Sequence, residues 1–383
     1  MDTPQQVITP WEVESSKPEE GIDYEKVIRQ FGCQKVTPEM IADNELTHLF
    51  FRRGIVFAHR DFNVIIEKIK QGKSIYLYTG RGPSSESMHL GHAVPFMFCR
   101  YLQERFNCKI VIQMTDDEKY IWKDIALKDS INYTVENAKD IISFGFDPKK
   151  TFIFSNTLYG HTFTETTLTI EKSIMVKDFM KVFGFTDTCK VGQLSFPSRQ
   201  MSPCFASSFP SLIEKDACCL IPCSIDQDPY FRLARDISHK INSIKPATIY
   251  TYFLPALQGT GVKMSASSSV SSIYLNDTPA EIKKKINKHA FSGGRDTLEE
   301  HRKHGGDPDV DIAYQYLRFF LEDDDQLKAY EEGYRNGSIL SGEMKKACIE
   351  TLQLFIKDFQ ARRAAITPEV LQAFFTHKLP SPQ

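Results

Sequence analysis

The sequence predicts an α/β protein with a mostly parallel, doubly wound sheet, followed by an all-helical domain. From about residue 51, short apolar segments typical of buried strands alternate with amphipathic helical patterns, as in strand-helix-strand units. The alternation stops over residues 157–217 and returns with strand patterns at 218–225 and 247–254. From residue 278 only helical patterns follow. We therefore expect a Rossmann-like sheet with an insertion between its halves, plus a C-terminal helical domain.

The bulk composition is that of an ordinary soluble protein of two or three domains. The chain has 383 residues, of which 41% are hydrophobic and 25% are charged. Its nine cysteines include no Cys-x-x-Cys pair, and Cys218, Cys219 and Cys223 lie in an apolar run, which favours reduced core thiols over a zinc site. The formal net charge of −2 confines any contact with nucleic acid to local patches. No leader sequence or run of membrane-spanning length is recognisable, so we expect a cytoplasmic protein.

Residues 1–50 form a polar N-terminal extension, which precedes an α/β domain predicted at 51–277 and a helical domain at 278–383. The extension has one apolar segment, Val7–Val13, which contains Trp11. A surface tail held in place by Trp11 is the plain interpretation of this pattern.

A strand, a glycine-rich turn and a helix start follow one another at Tyr76–His92, YLYTGRGPSSESMHLGH. The glycines allow the backbone to approach a ligand, and the helix predicted at Leu90–Phe106 directs its free N–H groups to the same place, where anions are favoured. His89 and His92, one turn apart, could donate hydrogen bonds to a phosphate oxygen. The pattern favours a nucleotide site, although an ordinary strand-helix turn or half of a metal site also fits it. It lacks the third glycine of a dinucleotide fingerprint and the lysine of a P-loop.

Two further strands are predicted at Lys109–Met114 and Thr151–Ser155, with a helix at Asn132–Phe144 between them. Three adjacent acids, at 116–118, follow the first of these strands. Such a run is common around Mg²⁺, so a direct metal site is one interpretation. Asp226 also follows a strand, and a helix N-cap is its simplest role.

The helical domain begins with a capping box at residues 278–281, with proline at the first helical position. A last helix is predicted to start at Thr367. Between them, one apolar stripe at helical spacing indicates a core face, formed by Met344, Cys348, Leu352, Phe355 and Phe359. Basic residues near the entrance of the domain could contact phosphates, although charged runs are usually solvated faces. These residues are Lys283, Lys284, Lys285, Lys288, Arg295, Arg302 and Lys303.

A second motif lies in the glycine-containing loop Pro255–Ser267, PALQGTGVKMSAS. His-Leu-Gly-His followed far downstream by Lys-Met-Ser-Ala-Ser resembles the paired HIGH and KMSKS motifs of class I aminoacyl-tRNA synthetases. Four longer segments are similar to the eukaryotic tryptophanyl-tRNA synthetases, namely Thr79–Ser85, Gln113–Lys119, Ile225–Arg232 and His289–Arg295. The resemblance covers nearly the whole chain, and several long motifs in the same order are far more specific than either short one.

The resemblance implies a ligase that activates L-tryptophan with ATP and Mg²⁺ and transfers it to the 2′ oxygen of the terminal adenosine of tRNA(Trp). It also implies that the insertion at 157–217 forms the interface of a homodimer and that the helical domain reads the anticodon. In eukaryotic members a short N-terminal hairpin covers the active site, and Pro10-Trp11 is similar to that element.

The resemblance assigns the site residues by their motif positions. The implied catalytic residues are His89, His92, Lys263 and Ser265. The implied ATP-binding residues are Thr79, Gly80, Arg81, His89, His92, Lys119, Gln200, Ile225, Lys263, Met264 and Ser265. For tryptophan, Tyr78 and Gln113 would hold the indole N–H. Glu118 would bind the substrate ammonium, and Gln200 and Gln227 would hold the carboxylate and amino ends. No side chain is assigned as a direct metal ligand.

One position departs from the class I pattern, because Ala266 stands where KMSKS has its second lysine. This leaves open how phosphate charge is divided among Lys263, Lys119 and Mg²⁺. Two other functions are considered. A tyrosyl-tRNA synthetase shares the fold and motifs, but Gln113 with Glu118 favours tryptophan. A non-catalytic regulatory protein derived from a synthetase would be expected to lose site residues, and those residues are present here.

Overall fold

A computed structural model describes residues 6–10, 13–14, 21–264 and 272–375, with residues 7, 14, 262 and 263 described by their backbone alone. The strands are β1 (Val7–Ile8), β2 (Val13–Glu14), β3 (Gln34–Lys35), β4 (Val56–Arg60), β5 (Ile75–Arg81), β6 (Lys109–Met114), β7 (Thr151–Ser155), β8 (Cys218–Ser224), β9 (Ala247–Thr251), β10 (Pro255–Ala256) and β11 (Gly259–Lys263).

The helices up to the end of the α/β region are α1 (Tyr24–Phe31), α2 (Pro38–Ala42), α3 (Leu49–Arg52), α4 (Phe62–Lys70), α5 (Leu90–Phe106), α6 (Asp116–Trp122), α7 (Leu127–Ile142), α8 (Asn156–Tyr159), α9 (Thr164–Ser173), α10 (Val176–Phe183), α11 (Val191–Met201) and α12 (Asp228–Ile237). They are followed by α13 (Pro279–His289), α14 (Leu298–His304), α15 (Ile312–Phe320), α16 (Asp324–Arg335), α17 (Ser341–Ala364) and α18 (Pro368–Phe375). Within the described ranges, none of these helices is both long and apolar enough to cross a membrane.

The central sheet has the strand order β3-β4-β9-β8-β5-β6-β7. The five strands from β9 to β7 are parallel, whereas β3 and β4 add an antiparallel edge. The chain lays down β5, β6 and β7 in one direction and then returns to place β8 on the other side of β5. The predicted doubly wound parallel sheet is therefore confirmed, with a point of reversal between β5 and β8. The antiparallel edge was not predicted.

Most of the predicted element boundaries agree with the structure. The bounds of α5, β6 and β7 are as predicted. Helix α7 begins at Leu127 instead of Asn132, because its first three residues are exposed and give no apolar period. Strand β9 ends at Thr251, since the apolar residues 252–254 after it turn to line a cavity instead of continuing the sheet.

Alternate residues of β5 pack into two separate cores. Ile75 and Leu77 pack with α5, α7 and the C-terminal helices on one face of the sheet. Tyr76 and Tyr78 pack with α12 and the helices of the insertion on the other face. Such alternation at every second residue is expected of a strand that is buried on both faces of the sheet. The insertion and the C-terminal helices therefore cover opposite faces of the sheet.

The C-terminal region is helical as predicted. The backbone N–H of Glu281 donates to Thr278 Oγ1 at 3.3 Å and that of Thr278 donates to Glu281 Oε2 at 2.8 Å, which completes the capping box. The apolar stripe of α17 is buried except for Phe355, which packs partly buried against the core. Helix α18 begins directly after Thr367.

The N-terminal extension forms a strand pair, so the expectation of a simple surface tail is wrong. Strands β1 and β2 pair antiparallel, and β2 also pairs with β11 through Glu14 and Val262. The backbone hydrogen bonds of a hairpin thus attach the extension to the segment that leads into Lys-Met-Ser-Ala-Ser. Trp11 lies outside the described residues.

Candidate active site

A cavity of about 280 Å³ opens at the carboxyl ends of β5, β6 and β8. This is where the strand order reverses, the usual place for a ligand in an open α/β sheet. Most of the predicted site residues line it together. They are Tyr78, Thr79, Gly80, Arg81, His89, His92, Gln113, Glu118, Lys119, Gln200, Gln227 and Met264.

Three predicted residues are not among the described side chains that line the cavity. The side chain of Ile225 is buried in the second core, and its neighbour Asp226 lines the cavity instead. Lys263 ends β11 next to Met264, which lines the cavity, but only its backbone is described. Ser265 and the rest of the serine-rich run to residue 271 lie outside the described residues.

Arg81, at the end of β5, is buried and determines the tautomer of His92. Its Nη1 lies 2.9 Å from Nε2 of His92. Because a guanidinium can only donate, Nε2 accepts and the neutral ring carries its proton on Nδ1. Nε of Arg81 donates to Oδ1 of Asn137 at 2.9 Å, whereas its buried Nη2 has no acceptor among the described residues. Burial lowers the pKa of Arg81 to about 10, so at neutral pH it offers an anionic ligand a full positive charge.

Two glycines lie in close packing at this end of the cavity. The rings of His89 and His92 stack with their centroids 3.5 Å apart. A Cβ on Gly91 would lie 3.1 Å from two atoms of the His89 ring, and a Cβ on Gly82 would lie 2.2 Å from Cε of Lys119. A side chain at Gly91 would therefore require a small shift of the His89 ring, whereas one at Gly82 would displace the flexible end of Lys119.

The opposite end of the cavity presents oxygen acceptors. The hydroxyl of Tyr78 lies 2.6 Å from Oε1 of Gln113 and 2.8 Å from the carbonyl oxygen of Gln200. Nε2 of Gln113 donates to Oδ1 of Asn156 at 2.8 Å and to the carbonyl of Arg199 at 3.1 Å. Because both N–H groups of Gln113 are occupied, this buried pair offers oxygen lone pairs to a ligand, as an indole N–H requires.

Glu118 is held beside the cavity by two neighbours. Its Oε1 lies 2.7 Å from Nζ of Lys119, and its Oε2 accepts from the hydroxyl of Thr115 at 2.8 Å. The carboxylate is therefore oriented before any ligand binds. The positive charge of Lys119, predicted to act on phosphates, is shared with this carboxylate.

The other two acids of the 116–118 run point to different partners. Asp116 accepts hydrogen bonds of 2.5 Å from the hydroxyls of Ser155 and Thr157. Asp117 lies 3.2 Å from Nε of Arg199, which opposes the rise in its pKa caused by burial. Within the described part of the chain, no three His, Cys, Asp or Glu side chains converge as a metal site would require. The direct metal site considered for this run thus has no geometric support.

A pair of amides and a buried carboxylate complete the wall next to α12. Nε2 of Gln200 donates to Oε1 of Gln227 at 3.0 Å. Gln227 occupies the N-cap position of α12, so the N-cap role predicted for Asp226 is wrong. Asp226 lies in the short 3-10 turn 225–227, and its buried side chain lines the cavity. Pro10 of the N-terminal hairpin also lines it.

Comparison with known proteins agrees with this geometry. The model of the family "tRNA synthetases class I (W and Y)" matches residues 70–357. Cytoplasmic tryptophan-tRNA ligase of Schizosaccharomyces pombe is 52% identical over 386 residues, which cover 98% of each chain. The human cytoplasmic tryptophan-tRNA ligase is 51% identical over 379 residues, which cover 96% of this chain and 80% of that protein. The chain belongs to the tryptophanyl-tRNA synthetases of class I.

Solved structures of this enzyme family share the whole fold. Plasmodium falciparum tryptophanyl-tRNA synthetase matches with a TM-score of 0.89 and 47% identity, covering 93% of this chain and 98% of that one. The tryptophan-bound enzyme from Encephalitozoon cuniculi matches with a TM-score of 0.87 and 48% identity, covering 94% and 99%. The family and fold predicted from the sequence are therefore confirmed.

Several residues of the synthetase site were not predicted from the sequence. Asn137 holds Arg81 and Asn156 holds Gln113, yet both asparagines lie in helices with no motif around them. Asp226 did carry a signal, because it follows a strand at the carboxyl edge of the sheet. Ligands bind at the carboxyl ends of the strands in such sheets, so a polar residue at this edge is better interpreted as facing a ligand than as a helix N-cap.

Proposed function

We propose that this chain is a tryptophan-tRNA ligase, which activates L-tryptophan with ATP to tryptophanyl-adenylate and transfers it to tRNA(Trp) for protein synthesis. The observation that carries the proposal is that one cavity joins an anion-binding end to a slot with buried oxygen acceptors. The names of relatives about half identical over nearly the full chain support it. Their description as cytoplasmic supports the same location for this chain.

In the first step a carboxylate oxygen of tryptophan attacks the α-phosphorus of ATP, and the bond to the leaving pyrophosphate breaks. The protein supplies no nucleophile, so its task is to position the reactants and stabilise charge. Arg81, His89 and His92 face the phosphates at the start of α5, where the helix also favours anions. Each preorganised donor at such a position is worth about 3 kcal/mol.

The remaining residues assigned to ATP complete the nucleotide end. Thr79, Gly80 and Met264 border the ligand, the backbone of Ile225 meets the adenine, and Lys119 adds charge. Lys263 and Ser265 close over the pyrophosphate. Mg²⁺ enters as part of the MgATP substrate, bound mainly by its phosphates. The ion neutralises phosphate charge when bound.

For tryptophan, the oxygens of Tyr78 and Gln113 accept the indole N–H and the ring of Phe231, 5.8 Å from that of Tyr78, closes the slot. Glu118 binds the substrate ammonium, with Gln200 and Gln227 at the polar end of the amino acid. A pocket with an obligatory buried hydrogen bond rejects an analogue that lacks the donor by up to about 10⁵-fold. This arrangement favours tryptophan over phenylalanine, whose ring carries no hydrogen-bond donor.

We further propose that the insertion at 157–217 forms the interface of a homodimer. Five large apolar side chains are exposed within it, as a surface that a partner covers would be. They are Leu158, Leu168, Met175, Val176 and Val191, with exposed fractions of 66%, 59%, 64%, 59% and 83%. A second copy of the chain would cover them.

We propose a division into an N-terminal extension (1–50), whose strand β3 adds an edge to the central sheet, a catalytic domain (51–277) and a helical domain (278–383). The hairpin of the extension, whose Pro10 lines the cavity, would cover the bound substrates. The helical domain would read the anticodon, with lysines of α13 among its phosphate contacts.

The test is pyrophosphate exchange into ATP, run with each of the twenty amino acids and without tRNA. Exchange with tryptophan alone is the expected result. Exchange with tyrosine instead would keep the fold assignment and overturn the pocket assignment. If no amino acid supports exchange, even with tRNA present, the chain is a non-catalytic relative.

A further inference from the structure

Helix α7 holds the turn that precedes α5 through two buried polar side chains. Asn137 and Asp140 are three residues apart, so they lie on one face of the helix, and they are 0% and 1% exposed. Oδ1 of Asn137 accepts from Arg81 at 2.9 Å. Oδ2 of Asp140 accepts from the backbone N–H of Met88, the residue before His89, at 3.1 Å.

The other oxygen of Asp140 is held from the C-terminal helices. Nε of Arg363, in α17, lies 2.5 Å from Oδ1 of Asp140, and its Nη2 lies 2.7 Å from Oε2 of Glu136. The side chain of Asp140 is 2% exposed and that of Arg363 is 32% exposed. Burial raises the pKa of Asp140, and the guanidinium of Arg363 opposes that rise. A continuous series of contacts thus runs from α17 through Asp140 to Met88.

We propose that Asp140 and Arg363 are positioning residues for adenylate formation, through which the C-terminal helices hold the start of α5, and with it His89, in the geometry that binds ATP. The inference rests on the proposed function. Neither residue lines the cavity, so each acts through Met88 and the turn. A buried carboxylate without its counter-charge takes up a proton or turns to another donor, which weakens or breaks its hydrogen bond from the N–H of Met88.

The chain offers a matched control in the neighbouring residue. Nε of Arg362 donates to the carbonyl of Ser143 at 2.7 Å, so Arg362 also attaches α17 to α7 but does not contact the carboxylate that holds Met88. If Arg363 serves only to attach the helix, Arg362→Met and Arg363→Met should behave alike. If Arg363 positions the turn, only Arg363→Met should alter the use of ATP.

The experiment is tryptophan-dependent pyrophosphate exchange with the full chain. For Arg363→Met we expect kcat/KM for ATP to fall roughly tenfold to a hundredfold, the size of effect that a small misplacement of reacting groups produces. KM for tryptophan should stay within about twofold, since the indole slot lies at the other end of the cavity. Arg362→Met should match the wild type. Equal losses in the two variants, or an equal loss for both substrates, would overturn the inference.

Two further variants keep the test decisive if Arg363→Met folds poorly. Arg363→Lys retains the charge and should recover most of the lost kcat/KM for ATP. Asp140→Asn should lower it, and the double variant Asp140→Asn/Arg363→Met should be no worse than the worse single variant, because both act on one contact. Additive losses, or no recovery with lysine, would contradict the proposal. A wild-type chain without tryptophan-dependent exchange would instead overturn the proposed function.

Discussion

Oε1 of Gln113 lies 2.6 Å from the hydroxyl of Tyr78, and the surrounding contacts fix the amide in this orientation. Nε2 donates to Asn156 and to the carbonyl of Arg199, so the amide cannot turn an N–H towards the ligand. The polar groups that this pair can offer a ligand are therefore oxygen acceptors, with no unpaired N–H on Gln113. Selection of a ring with an N–H donor thus depends on Tyr78, on Gln113 and on the groups that hold Gln113. It can be tested by changing each of these residues.

Replacing Gln113 by alanine should relax the choice of amino acid. The variant loses the oriented acceptor. The preference for tryptophan over phenylalanine should therefore fall by about a hundredfold or more, from the roughly 10⁴- to 10⁵-fold selectivity that such pockets reach. The measurement is kcat/KM in pyrophosphate exchange with each amino acid.

Tyr76→Phe provides the matched control for that change. Tyr76 lies on the same face of β5 as Tyr78, but its hydroxyl donates to the carbonyl of Pro203 and does not border the cavity. The variant should lose about 1 kcal/mol of stability with unchanged selectivity. An unchanged preference in Gln113→Ala would show that the indole pocket has been assigned wrongly.

His89→Ala and Lys263→Ala should slow adenylate formation while tryptophan binding changes little. Each removes a donor that acts on charge developing at the phosphates, at a cost of about 3 kcal/mol or roughly a hundredfold in rate. Single-turnover formation of the adenylate and equilibrium binding of tryptophan measure the two effects separately. His161→Ala, in an exposed position of the insertion, is the control. Activation at the wild-type rate in either site variant would remove that residue from the proposed mechanism.

Arg81→Met should be more damaging than His92→Ala. The variant removes the buried Nη2, which has no acceptor among the described residues, and also releases His92 from its fixed tautomer. We expect a fall in the adenylation rate of at least a hundredfold. Arg100→Met, on α5 but exposed and paired with Glu104, should leave the rate unchanged. If Arg81→Met and His92→Ala were equally active, the orphaned N–H of Arg81 would have no role with ATP.

Acid should destabilise the protein through His48. Burial, aided by Arg52 and Arg100, lowers the pKa of this histidine from 6.5 to about 4, and its Nδ1 accepts from the N–H of Phe50 at the start of α3. Below pH 6.5 the unfolded chain binds a proton that the folded chain does not, so stability falls as the pH drops towards 4, by roughly 1 kcal/mol at pH 5.5. His48→Asn keeps an acceptor for the helix start and does not titrate.

The urea midpoint of His48→Asn should consequently depend less on pH than that of the wild type between pH 7 and 5. The comparison needs no separate control, because each protein is its own reference at pH 7. Parallel curves for the two proteins would show that His48 is not the group responsible.

Charge placed on the exposed apolar surface of the insertion should separate the proposed dimer. Leu168→Glu and Val191→Glu would bury a carboxylate in the interface without disturbing the core, since both side chains are largely exposed. Sedimentation velocity should show a shift from dimer to monomer. Leu354→Glu, at an equally exposed position on α17, should not change the mass. A wild-type monomer, or a variant dimer, would contradict the proposed interface.

The sequence by itself determined the parallel sheet, the helical C-terminal region and the family. Strand and helix periods are local, so β6, β7 and α5 could be predicted to the residue, and motif positions indicated most residues that line the cavity. The part that failed had a weak local pattern, namely the exposed first turn of α7, and the N-terminal hairpin was implied by the resemblance and by no local period.

Only the tertiary structure decided which side chains restrain the site residues. Asn137 holds Arg81 and Asn156 holds Gln113 across 56 and 43 residues of chain, and Arg363 reaches Asp140 across 223. Such contacts leave no period in the sequence, because they depend on the packing of whole elements around the sheet. The sequence thus names the chemical groups, and the packing of the fold sets the tautomer, orientation and charge with which those groups meet a ligand.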